Sequence, residues 1–154
     1  MDREPYAVTV CVLIHRGDSF LLVVRAPGVG YAPNMIGMIG GHVDVTDPEG
    51  DVLEATARKE VAEEVGLDLS EVPLTYLESE FFITNRGERQ ITVTFSAPAP
   101  AGDEPYVNAP DELAEVGWWT LNDLEADGRC PPWLPALIRR AALASGAIKL
   151  SPAP

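Results

Sequence analysis

The stretch KEVAEEVGL, residues 59–67, places Glu60, Glu63 and Glu64 within about one helical turn, with Lys59 as the only basic residue in the run. At about 100° per residue, an α-helix gathers three such carboxylates into an arc of roughly 100°. Like charges at i,i+3 and i,i+4 repel by a few tenths of a kcal/mol per pair, so the cluster weakens the helix unless a cation sits on it. Carboxylate and backbone carbonyl oxygens are the ligands a hard dication such as Mg2+ or Mn2+ prefers. Gly40 and Gly41 precede the run, and a carbonyl at Gly40 can approach a metal closely because glycine has no side chain. A dication held there can neutralise charge on a leaving phosphate and lower the pKa of bound water, while a nearby carboxylate takes the water's proton. The competing reading of the same residues is a solvated acidic face.

The carboxylates need a helix, and the pattern predicts one from Asp51 to about Val65. Leu53, Ala57, Val61 and Val65 step by four and form an apolar stripe for a core. Asp51 followed by Glu54 reads as a capping box, with Asp47 before Pro48 as a rival start, and Gly66 fits the C-terminal cap. The acidic arc then lies on the exposed flank of the stripe. Upstream, residues 6–14 and 19–24 are β-rich runs joined by HRGD and read as an antiparallel hairpin. A Gly/Pro loop, RAPGVGYAPN, leads to MIGMIGGHVDV, a short strand whose glycines let backbone come close to something. Downstream, two strands at about 73–84 and 89–97 are followed by a loop. EVGWWTL is another strand, LNDLEA a short helix and WLPALIRRAALAS a C-terminal amphipathic helix. This order predicts a mixed α/β layer arrangement.

The chain as a whole narrows the options. Its 154 residues suit one domain with a real core. A net charge of −13 argues against a general binder of nucleic-acid backbone, which needs Lys and Arg clusters. An anionic partner would therefore need a localised basic group or a bound metal. No apolar run reaches about 18 residues and no leader-like start is present, so the expectation is a cytoplasmic protein with no membrane partner. Cys11 and Cys130 match no metal or redox spacing and read as a buried thiol and a loop thiol in a reducing compartment. The tail at 149–154, KLSPAP, is expected to be disordered.

Gly41, Asp51 and KEVAEEVGL resemble the Nudix box, G-x5-E-x7-R-E-U-x-E-E-x-G-U with U aliphatic. The match holds at Glu60, Val61, Glu63, Glu64, Gly66 and Leu67. DELAEVGWWTLNDL resembles the acidic loop, Trp-containing strand and short helix that commonly follow in this family. The departures are an HVDVTDPEG loop of nine residues where the pattern has five, Asp51 for the first Glu, Lys59 for Arg, and Ile39 for the common Pro before Gly-Gly. Lys lacks the planar fork of Arg, so its hold on a neighbouring glutamate should be looser.

The resemblance implies a MutT-like Nudix hydrolase: an α/β/α sandwich with a mixed sheet, a single domain over 1–154, Mg2+ or Mn2+ as cofactor and a small-molecule nucleotide as substrate. It implies Glu60, Glu63 and Glu64 with the Gly40 carbonyl as metal ligands, and one of the glutamates or Glu112 as general base. Arg25 stands where relatives often hold a substrate-contacting Arg; a surface salt bridge is its other reading. His42 reaches either phosphate or a structural hydrogen bond. Of Trp118 and Trp119, which alternate across a strand, one belongs to the core and the other stacks on a base, with Trp118 the candidate. The leading reaction is a nucleoside triphosphate split to monophosphate and pyrophosphate. The alternatives are an ADP-ribose or nucleotide-sugar pyrophosphatase, and a nucleotide-binding module that has lost catalysis. Nudix relatives are often dimers, so a homodimer through the N-terminal strand or the C-terminal helix is a further expectation.

Overall fold

The computed structural model describes residues 2–44 and 50–150. The rival helix start at Asp47–Pro48, the centre of the long loop and residues 151–154 of the tail lie outside the described residues. Ten elements follow in order: β1 (Ala7–Arg16), β2 (Ser19–Arg25), β3 (Ile36–Gly37), β4 (Ile39–His42), α1 (Val52–Val65), β5 (Thr75–Ile83), β6 (Arg89–Pro98), β7 (Leu113–Thr120), α2 (Leu121–Ala126) and α3 (Trp133–Ala144). The sheet is mixed, since β1 runs parallel to β6 and antiparallel to β2 and β4.

Strand alternation divides the core into two layers. Val10, Val12 and Ile14 of β1 face α1, where they meet Ala57, Val61 and Val65. Leu13 of β1, with Phe20, Leu22 and Val24 of β2, faces Leu134, Leu137 and Ile138 of α3. The result is the expected α/β/α sandwich with a mixed sheet.

One feature of the sheet positions the glycine pair. β6 pairs with β1 over Ala7–His15, while the other edge of β1 is shared: β2 takes Ile14–Arg16 and β4 takes Thr9–Val12. β2 is likewise shared, with β7 along one edge and β1 then β3 along the other. The hairpin partners therefore diverge, and residues 36–42 enter the opening, pairing first with β2 and then with β1. The sequence suggests one short strand here; the structure makes two, because the segment changes partner at Met38.

The capping box expected at Asp51 does not form. Asp51 adopts a left-handed backbone with φ of 56°, and its side chain caps nothing. Only its carbonyl takes part, accepting from the Ala55 N–H at 2.9 Å. A cap side chain reaches the N2 or N3 amide from an extended backbone, and the left-handed turn removes that reach. A capping box does form at α2, where Thr120 Oγ1 accepts from Asp123 N at 3.1 Å and the Asp123 carboxylate accepts from Thr120 N at 2.9 Å. Thr120→Ala should lower stability by about 1 kcal/mol, measured by denaturant unfolding. A loss of only a few tenths would mean that burial of Leu121 and Leu124 alone holds the helix.

Candidate active site

Glu60, Glu63 and Glu64 all project from the C-terminal half of α1, but into different surroundings. Glu64 is buried at 6% exposure, contrary to the expectation of an exposed flank. The stripe of Ala57, Val61 and Val65 is wide enough to take position 64 under the sheet edge. Its carboxylate accepts from the Gly40 N–H at 2.9 Å. The amide of Gly40 thus points at Glu64, while Gly40 itself pairs with Cys11 in the ladder. Glu60 is half-buried, and its carboxylate rests where a side chain on Gly41 would stand, with Oε2 at 2.7 Å from that position. Glu63 is exposed, with Lys59 Nζ at 3.9 Å, a loose contact as expected of Lys in place of Arg.

The electrostatics agree with the crowding. Burial pushes the Glu64 carboxyl up to about 8; repulsion from Glu60 and Glu112 adds to this, and the Gly40 hydrogen bond and Arg25 oppose it. Burial and then Glu63 raise Glu60, with Lys59 opposing and Glu112 adding. Glu112 therefore stands within the field of both, although it is 48 positions from Glu64 in the sequence.

The loop before β7 brings Glu112 there. Tyr106 N donates to Val65 O and Asn108 N to Glu64 O, while Asn108 Nδ2 reaches the carbonyls of Ala62 and Glu63. These donors satisfy the carbonyls that a helix end leaves open. The Tyr106 ring covers Gly66, whose φ of +71° and lack of a Cβ let it lie so close. Glu112 is then fixed by its own backbone, its carbonyl accepting from Ala26 N at 2.8 Å. The sequence shows this stretch only as a Pro/Ala-rich loop, and the docking of Tyr106 and Asn108 on α1 leaves no periodic signal.

Arg25 ends β2 on the same side. Its Nε donates to Tyr31 O at 2.7 Å, its guanidinium lies 5.5 Å from the Tyr31 ring centre, and its stem crosses Gly37. Tyr31, 63% exposed, escaped the sequence reading. His42 is joined through Nδ1 to Thr9 Oγ1 at 3.1 Å, which in turn accepts from Gln90 Nε2 at 2.8 Å. Beside it opens a cavity of about 500 Å³ lined by Tyr6, Arg89 and Glu88 among others.

Trp118 is not brought to the carboxylates. It pairs with Leu21, which pairs with Ile14, three residues beyond the Cys11 that faces Gly40. That separation is about 10 Å along the strands. Arg16 covers its ring at 4.1 Å from the centre, and its buried Nε1 has no hydrogen-bond partner among the described residues. Trp119 packs on the α3 side.

Among the described residues no three His, Cys, Asp or Glu side chains lie close enough together to form a metal-holding group. The donor set nonetheless suits a hard dication, since it is made of carboxylates and backbone carbonyls and its buried members are shifted toward the neutral form by unoffset negative charge. Cys11, behind Gly40, is buried and its thiol is pushed up to about 12, which suits packing rather than ligation.

An α/β/α sandwich that sets a glycine pair against a glutamate-bearing helix is the architecture of phosphoric-anhydride hydrolases of the MutT type. The model of the NUDIX domain matches residues 5–140, and the chain belongs to the Nudix hydrolase family, whose members act on phosphoric anhydrides and generally use divalent metal ions. The chain is 30% identical over 148 residues to the NAD-capped RNA hydrolase NudC of Deinococcus radiodurans, covering 94% of this chain and 47% of that protein. It is 29% identical to NudC of Stutzerimonas stutzeri over 118 residues, covering 77% of this chain and 38% of that one. It therefore spans about half, or less, of the length of the curated relatives it matches. Among solved structures, a MutT NUDIX hydrolase from Burkholderia pseudomallei superposes with a TM-score of 0.73 at 27% identity, covering 89% of this chain and 98% of that one. The NUDIX domain of Shewanella oneidensis NrtR, complexed with ADP ribose, shares the fold at a TM-score of 0.71 and 21% identity, with 92% and 90% covered. No helix among the described residues is long and apolar enough to cross a membrane.

Proposed function

We propose that this chain is a metal-dependent pyrophosphohydrolase that cleaves a nucleoside diphosphate linked to another group. The observation that supports this reading is the buried Glu64 held beside Glu60 and Glu112, an arrangement that costs the fold stability until positive charge arrives. Glu60, Glu63 and Glu64, with the Gly40 carbonyl, would hold Mg2+ or Mn2+. When bound, the dication would acidify water and screen the substrate's phosphates.

The chain's own groups do the rest. Glu112 comes from a separate loop and faces the α1 carboxylates, so we assign it the proton of the attacking water. The water oxygen adds to one phosphorus, the bridging P–O bond breaks, and the bridging oxygen leaves with the other phosphate. Arg25 supplies positive charge beside the site, and Tyr31 offers a ring on which a base can stack. His42 borders the cavity of about 500 Å³, room for the remainder of a nucleotide. Trp118 lies too far along the sheet for the stacking role assigned to it.

A nucleoside triphosphate suits a compact domain, but the named activity of the curated relatives moves the favoured substrate to a dinucleotide pyrophosphate of the NAD class, with ADP-ribose next. A net charge of −13 disfavours a long RNA chain and leaves the small dinucleotide. A cytoplasmic site of action fits the free thiols Cys11 and Cys130. The second reading, a nucleotide-binding module, draws on the looser Lys59 contact and on the spread of the acidic side chains among the described residues.

The test is release of mononucleotides from NAD, NADH, ADP-ribose, a nucleotide sugar and nucleoside triphosphates, with Mg2+, Mn2+ or EDTA. Turnover that EDTA abolishes is expected; tight binding with intact ligand after long incubation would favour the module. Glu112→Gln should lower kcat about a hundredfold, the low end for a general base, since other carboxylates can still accept the proton. Unchanged kcat would remove Glu112 from that role.

A further inference from the structure

β5 forms one rim of the sheet, with β6 as its one strand partner among the described residues. Soluble proteins keep such edges short, charged or covered. This one runs for nine residues, and Tyr76, Phe81, Phe82 and Ile83 are 57%, 54%, 39% and 59% exposed. Tyr6, 46% exposed, lies against Phe81 with ring centres 5.9 Å apart. In a chain of net charge −13, an apolar cluster on an open strand edge marks an interaction surface.

We propose that β5 is a dimerisation edge, occupied by β5 of a second copy paired antiparallel about a two-fold axis. The exposed parts of these five side chains come to on the order of 500 Å², more than half of the roughly 800 Å² per partner that a stable interface buries. The strand's two acidic groups are already neutralised within the chain. Arg140 of α3 donates to both oxygens of Glu78 at 2.9 and 3.1 Å and to Glu80 at 3.3 Å. A second copy can therefore approach without meeting unpaired carboxylates.

The register follows from the faces. Ser79, Phe81 and Ile83 pair with Val93, Ile91 and Arg89 of β6 and so share the α1 side of the sheet. Setting Phe81 opposite its own copy puts Ser79 against Ile83 and Glu80 against Phe82, so no like charges face each other. An axis at Ser79 would oppose Glu78 and Glu80, which is unfavourable. An antiparallel pairing of identical strands is self-complementary, as a closed dimer requires. β1, an expected surface, has strand partners on both edges and is closed to this role, and the apolar stripe of α3 is taken up by the core. The edge lies two strands from β1, away from Gly40 and α1, so the dimer does not depend on the reaction assigned to the site.

Light scattering across a dilution series tests it. The chain should show twice its 16.6 kDa mass, and Phe81→Glu should shift it to monomer with its melting temperature retained, because Phe81 contributes little to the core. Phe81→Cys should cross-link to its copy on mild oxidation while Glu78→Cys does not. This arm decides the matter if the Glu variant misfolds. Raising salt should leave the dimer intact or tighten it, since screening relieves repulsion between two acidic chains. A monomer at every concentration, an undisturbed dimer in Phe81→Glu, or cross-linking through Glu78→Cys instead would overturn the proposal.

Discussion

Replacing Glu64 with Gln is expected to abolish measurable turnover, a loss of 10³-fold or more on the scale of a missing catalytic carboxylate and metal ligand, and at the same time to make the metal-free protein more stable at alkaline pH. The two effects share a cause. Glu64 is buried at 6% exposure, and its carboxyl is raised from 4.5 to about 8, chiefly by burial. A carboxyl whose pKa is higher folded than unfolded favours the folded state while protonated. Stability is therefore lost as pH rises from about 4.5, where the unfolded group ionises, through about 8, where the folded group does. The ceiling on that loss is about 5 kcal/mol, from about 1.4 kcal/mol per pK unit. Gln keeps an oxygen for the Gly40 N–H and removes the charge. In chelator, the variant should match the wild type near pH 4.5 and exceed it near pH 8.5 in denaturant unfolding. Saturating Mg2+ or Mn2+ should stabilise the wild type and leave the variant unmoved. A variant that retains turnover within tenfold would show Glu64 to be dispensable. One that is less stable than the wild type near pH 8.5 in chelator would refute the buried-charge account.

The ease with which the sequence gives up parts of this fold depends on how local their causes are. The helix carrying the glutamates is legible because four apolar residues at steps of four and a terminal glycine are all within α1 and its caps. The hairpin of β1 and β2 is equally local. The double strand at 36–42 is not, since its pairing is decided by the divergence of β1 and β2 around it, and a glycine-rich run has no alternation to read. Helical angle places Glu60, Glu63 and Glu64 on one side, yet it cannot say where the core stripe stops, and so it misses the burial of Glu64. The approach of Glu112 depends on backbone hydrogen bonds from Tyr106 and Asn108 to the end of α1, which any residue type but proline could supply. Trp118 shows the opposite failure: its type suits base stacking, while its row in the sheet leaves it under Arg16.

The two adjacent glycines should separate folding from function. A methyl on Gly40 would run into the backbone carbonyl of Val10, with Cys11 Sγ at 2.9 Å. Backbone cannot yield there without opening the β1–β4 ladder, so Gly40→Ala should destabilise the protein by about 3 kcal/mol, at the upper end for overpacking. A methyl on Gly41 meets only the carboxylate of Glu60, the far end of a flexible side chain. Gly41→Ala should therefore fold with a loss below about 1 kcal/mol, because the carboxylate can swing aside into solvent. That swing removes one of the carboxylates assigned to the metal, so the variant should need more Mg2+ or Mn2+ for half-maximal turnover and lose about 10- to 100-fold in kcat, as when a metal site loses the orientation of a ligand. The measurements are unfolding midpoints for both variants and metal titrations of activity for Gly41→Ala. If Gly41→Ala keeps wild-type metal dependence, the position of the Glu60 carboxylate against Gly41 has no part in the reaction. If both variants unfold alike, the pair serves only to let β4 pack between β1 and α1.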